Sequence, residues 1–114
     1  MTPRDDTTLL KHMLEYTREA IDLSSGKSRK DLDNNRMLEL ALTRLVEMVG
    51  EAASRTTSDC RQLYPQIPWP DIIGLRNRLV HGYNSVDLDI LWDILQMDFP
   101  PLATELEEII RERC

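Results

Sequence analysis

A chain of 114 residues falls in the usual size range of one domain, and its net charge of -6 denies it the broadly basic surface that nonspecific nucleic-acid binding relies on. No apolar run is long enough to span a bilayer and the charged start Met1-Thr2-Pro3-Arg4-Asp5-Asp6 is unlike a signal peptide, so a cytoplasmic chain with no membrane association is expected. Two isolated cysteines, Cys60 and Cys114, and two histidines in all give neither a disulfide framework nor a metal-ligand spacing, so no metal and no cofactor is expected.

Only four glycines occur, and apolar residues recur at spacings of three and four between charged ones, which predicts an all-α protein. A first helix is expected from about Asp5 to Leu23, with Leu10, Met13, Leu14, Thr17, Ala20 and Ile21 as its stripe, broken by Ser24-Ser25-Gly26-Lys27. The second, about Asp31 to Ser54, is the most apolar. Leu38, Ala41, Leu42, Leu45, Met48, Val49 and Ala52 form its stripe, and Met37 and Leu40 widen it, so it is the expected central helix, covered on more than one side.

A short helix starts at the cap candidate Ser58 and ends near Tyr64, before the loop Pro65-Gln66-Ile67-Pro68. The next begins at Pro70, whose missing N–H is not needed in a first turn, with Asp71 complementing the dipole. A final helix, about Asp87 to Arg111, carries Leu88, Leu91, Leu95, Phe99, Leu102, Leu106 and Ile109, and Pro100-Pro101 should kink or split it. Together these make one domain over residues 1–114, an antiparallel helical bundle of four main helices plus a short one.

The densest chemistry lies at Arg76-Asn77-Arg78-Leu79-Val80-His81-Gly82-Tyr83. A guanidinium offers phosphate oxygens a planar fork of donors, and an imidazole gives or takes a proton near neutral pH. On an unbroken helix Arg76 falls on the core side with Ile72, Leu75, Leu79 and Tyr83, about 140° from His81. Two resolutions stand open: the helix ends near Val80, with Gly82 just past its end, or two copies meet at Gly74 and build one cleft from both chains. Spacing alone favours a blander reading, in which an arginine and a histidine near a helix end satisfy its last carbonyls.

At these residues the chain resembles the HEPN superfamily, and within it the HepT branch, the toxin half of HepT/MntA toxin–antitoxin pairs. The signature Arg, four residues, His, one residue, Tyr is met by Arg76, His81 and Tyr83, with Asn77 after the arginine. Val49-Gly50-Glu51-Ala52-Ala53, Ile67-Pro68-Trp69 and the run from Val86-Asp87 to Leu91-Trp92 are similar to the same branch. The doubled Pro100-Pro101 departs from what looks like a single family proline.

The resemblance implies a homodimer with metal-independent endoribonuclease activity, in which Arg76 and His81 of both chains line a shared cleft. It implies His81 as base toward a ribose 2′-hydroxyl and Arg76 as the group stabilising phosphoryl charge. Asn77, four residues before His81, is the expected supporting residue, and Arg78 an RNA phosphate contact. Tyr83 is implied as the site of adenylylation by a cognate MntA-like nucleotidyltransferase antitoxin, which joins the homodimer in a larger hetero-oligomer. The competing expectation is a non-catalytic helical binding subunit of a nucleotidyltransferase complex.

Overall fold

A computed structural model of the chain describes residues 5–81 and 85–113, with the backbone alone of His81. Helix α1 spans Asp6–Ser24, its first turn capped by Asp5, whose carboxylate accepts from the Thr7 N–H at 3.2 Å. It ends where Gly26 takes a positive φ of 76°, a conformation that costs glycine nothing. The expected stripe is buried along its length except for Ile21, which is half-buried, and Leu9 joins it.

The long helix expected over 31–54 is two helices. α2 spans Arg29–Asn34 and α3 spans Arg36–Ser54. Between them Asn35 is extended and its side-chain oxygen accepts from the Leu38 N–H at 3.0 Å. An asparagine that caps one helix cannot also continue the one before it, although the apolar period runs through it undisturbed. Leu38, Leu42, Leu45, Val49 and Ala52 are buried as the stripe requires, and Met48 is half-buried. The helix is covered on more than one side, as expected, but through Glu39, Thr43, Val46, Gly50 and Ala53, all buried; the widening residues Met37 and Leu40 and the stripe residue Ala41 are exposed, Met37 to 81%.

Helix α4 (Ser58–Leu63) is capped one residue earlier than expected, by Thr57, whose hydroxyl accepts from the Cys60 N–H at 3.1 Å. The following loop is closed by the Trp69 indole N–H, which donates to the Tyr64 carbonyl at 3.0 Å. The last helical rod runs as α7 (Leu88–Asp93), a π-helical turn (Ile94–Asp98) and α8 (Phe99–Arg113). Neither Pro100 nor Pro101 has an N–H to donate. The rod absorbs them without splitting, because the Phe99 N–H just before them bonds back five residues to the Ile94 carbonyl and widens the turn.

Helix α8 lies antiparallel to α1. Arg113 donates to the Thr7 hydroxyl at 2.8 Å near one end, and Arg18 pairs with Glu107 at 3.0 Å farther along. The start of α1 meets the end of α3 through the Asp6 carboxylate, which accepts from the Thr57 N–H and hydroxyl at 2.9 and 2.7 Å. The core fills the space between these three helices, around Leu10, Met13, Leu42, Val46, Val49, Phe99 and Leu106, all at 0% exposure. Each such burial contributes roughly 1.5–3 kcal/mol. The all-α expectation holds, with one small antiparallel ribbon beside the motif. Among the described residues no helix is long and apolar enough to cross a membrane.

Candidate active site

The expected motif helix is broken twice, and both breaks move functional residues. It begins as α5 (Trp69–Ile73) with Pro70 in its first turn, as its missing N–H permits. Gly74, at φ -86° and ψ 8°, ends α5 and starts α6 (Leu75–Leu79). A Cβ at Gly74 would lie 3.1 Å from the Pro70 carbonyl oxygen, so this glycine serves a tight turn of its own chain.

Ile72, Leu75 and Leu79 take the core side, but Arg76 does not. Its side chain is 66% exposed, which corrects the core-side placement. The helical wheel assumed a straight axis from Asp71 through His81, and the break at Gly74 re-aims everything after it.

The second break comes after Leu79. Val80 is extended at φ -99° and ψ 124°, and strand β1 (Val80–His81) pairs with β2 (Ser85–Val86), Val80 facing Val86 and His81 facing Ser85. The Asp87 N–H donates to the Leu79 carbonyl at 2.8 Å and closes the ribbon. A helix end near Val80 is therefore present, and the 140° separation of Arg76 and His81 no longer applies. Gly82 and Tyr83, and with them the expected modification site, lie outside the described residues, as does the His81 side chain.

The Arg76 Nε lies 3.5 Å from Glu47 Oε2 on α3. It borders a cavity of about 180 Å³ with Arg44, Glu47, Gly50, Glu51 and Ile73. Gly50 makes this possible: a Cβ there would sit 3.0 Å from the Ile72 carbonyl oxygen, so only glycine lets α5 lie this close across α3. Arg78 points to a different place. Its Nη1 is 2.7 Å from Asp98 Oδ2, and it lines a cavity of about 450 Å³ with Ile72, Met97 and Leu102. The structure thus does not bring Arg78 into the Arg76 cavity. Asn77 is exposed, and because α6 ends at Leu79 it does not stand one helical turn before His81.

The family described as "Ribonuclease HepT-like" matches residues 13–109, which takes in α3, the broken motif helix and most of α8. The chain belongs to the HepT-like ribonuclease family. It is 34% identical over 107 residues, 94% of this chain and 98% of the other, to a Methanocaldococcus jannaschii protein named "Putative RNase". It is 32% identical over 103 residues, 87% of this chain and 94% of the other, to "Probable ribonuclease HepT" of Thermococcus cleftensis. A Caldanaerobacter subterraneus protein named "Putative RNase" is 30% identical over 111 residues, 97% of this chain and 96% of the other. No solved structure matches the chain.

In this HepT-like chain two charged residues that border the Arg76 cavity, Arg44 and Glu47, are absent from the motif as read in sequence. On a helix they look like an ordinary exposed i, i+3 pair. The one signal was Gly50, a poor helix former inside an apolar helix and one turn from both Glu47 and Ser54.

Proposed function

We propose that this chain is a metal-independent endoribonuclease that acts as the toxin of a toxin–antitoxin pair. The observation that carries this reading is Arg76, which borders a cavity with its Nε 3.5 Å from Glu47 Oε2, in a chain of the HepT-like ribonuclease family. A guanidinium at the border of a cavity offers its fork of donors to phosphoryl oxygens that enter it.

His81 takes the proton of a ribose 2′-hydroxyl, and the oxygen attacks the adjacent phosphorus. Arg76 stabilises the charge that gathers on the non-bridging oxygens, and a second imidazole, from the second chain of a homodimer, gives its proton to the leaving 5′-oxygen. The products are a 2′,3′-cyclic phosphate and a free 5′-hydroxyl. DNA has no 2′-hydroxyl and is not cut.

Tyr83 is the handle for control. Adenylylation by a cognate nucleotidyltransferase antitoxin places a phosphate and a nucleoside two residues from His81, where charge and bulk oppose an incoming RNA backbone. Expression of the chain and of its His81→Ala variant separates catalysis from binding. Growth arrest lost in His81→Ala, with dimer and transferase binding intact, is the expected result. Equal arrest by both points to a non-catalytic binding subunit.

A further inference from the structure

The arginine–carboxylate pairs among the described residues fall into two groups. Arg36 to Glu39, Arg78 to Asp98, Arg29 to Asp89 and Arg18 to Glu107 are closed pairs, at 2.6, 2.7, 2.8 and 3.0 Å. The pairs around the Arg76 cavity are long: Arg44 Nη1 to Glu47 Oε1 at 3.7 Å, Arg44 Nη2 to Glu51 Oε2 at 3.9 Å, and Arg76 Nε to Glu47 Oε2 at 3.5 Å. None lies within the usual range for a strong charge-assisted hydrogen bond, about 2.7–2.9 Å. Donors held this loosely are available to a ligand.

Their placement is asymmetric. The Glu47 side chain is 22% exposed, while those of Arg44 and Arg76 are 61% and 66% exposed. Glu47 therefore lies beneath two guanidiniums and offers one oxygen to each. Arg44 comes from the middle of α3 and Arg76 from α6, and the two meet at one cavity because Gly50 admits α5 to the α3 backbone. Of the five cavities described, this one is bordered by two arginines.

The geometry assigns Arg44 as a second phosphate-contacting residue of the Arg76 cleft, with Glu47 as the positioning residue that holds both guanidiniums toward the substrate. This rests on the ribonuclease reading and deepens it: Arg76 takes the scissile phosphate of a single-stranded RNA, and Arg44 takes a neighbouring one. The two arginines are balanced by Glu47 and Glu51, so the cavity carries no net charge to concentrate small anions. A polyanion gains where a lone phosphate does not, because each of its phosphates meets a separate fork.

The test uses the full chain as the His81→Ala variant, which binds RNA without cutting it, titrated with a labelled single-stranded oligoribonucleotide at several salt concentrations. Adding Arg44→Ala is expected to weaken binding about five- to tenfold at low salt and to lower the slope of log K against log salt by about 0.7, the share of one phosphate contact. Lys30→Ala, at an exposed lysine on α2, changes neither. Arg44→Gln repeats the experiment with an uncharged polar side chain, and thermal melts verify that each variant is folded.

Glu47→Gln in the otherwise native chain is expected to slow cleavage about tenfold while RNA affinity holds or tightens, because a repelling carboxylate is gone but Arg76 has lost its anchor. A purely structural glutamate would not separate rate from affinity in that direction. If folded Arg44→Ala and Arg44→Gln bind as tightly and with the same salt slope as a parent that does bind RNA, Arg44 is no contact and the assignment falls alone. If the parent binds no RNA at all, the ribonuclease reading falls with it.

Discussion

Replacing Gly50 by alanine sets two effects of known sign against each other at the junction that builds the site. Alanine is favoured over glycine by about 1 kcal/mol inside a helix, and Gly50 lies well within α3. Against this, the added Cβ would lie 3.0 Å from the Ile72 carbonyl oxygen, 3.7 Å from that of Ile73 and 3.8 Å from Leu75 Cβ. The two nearest are backbone carbonyl oxygens of α5, which no side-chain rotation can move out of the way. The helix as a whole must shift by a few tenths of an ångström.

Overpacking of this kind costs about 1–3 kcal/mol, so Gly50→Ala is expected to be destabilised by about 1 kcal/mol net, a fall in Tm of about 4 °C for a domain of this size. The shift is carried through Ile73 and Gly74 to Arg76, so RNA cleavage should slow about tenfold, well within what small misplacements cost. Melts followed by circular dichroism and cleavage of a fluorogenic RNA measure both. A variant that melts higher than the parent and cuts RNA at the parental rate would refute the close approach of α5 to α3 as the device that sets Arg76.

Cys60 is buried beside the start of α1, and burial, with the Asp6 carboxylate as a smaller cause, raises its thiol above the ordinary range. The folded state holds this proton more tightly than the unfolded state, so the contribution is present below the ordinary thiol pKa and lost as pH rises above it. Urea midpoints should fall more steeply in the native chain than in Cys60→Ala as pH rises above the ordinary thiol value of about 8.5; parallel profiles would contradict this. Co-expression with a cognate nucleotidyltransferase should add AMP mass to the peptide holding Tyr83, and Tyr83→Phe should abolish it. An unmodified Tyr83 under those conditions would count against this mode of control.

The long amphipathic segments were legible because a helix buried on one face must repeat every three to four residues. α1 begins and ends within a residue or so of the expected span, and the stripe from Leu91 to Ile109 is buried throughout. What escaped the pattern were places where a single residue breaks the backbone while the apolar period continues. Asn35 caps α3 in the middle of an unbroken stripe. Gly74 turns the motif helix, which put Arg76 on the wrong side of the wheel.

Arg76 and His81 were legible as candidates because one of the chain's two histidines stands five residues after an arginine. Arg44 and Glu47 were not. Charged residues on an exposed helix face look alike until another helix is laid across them, and that depends on a missing Cβ at Gly50.

Cleavage of a defined single-stranded RNA by purified protein in EDTA, with the new ends identified, bears most directly on the ribonuclease reading. The native chain is expected to cut and to leave 2′,3′-cyclic phosphate and 5′-hydroxyl ends, while Arg76→Ala and His81→Ala, each folded, leave the RNA intact. Cutting that appears only when a divalent metal is added, or that persists at full rate without Arg76 and His81, would contradict it.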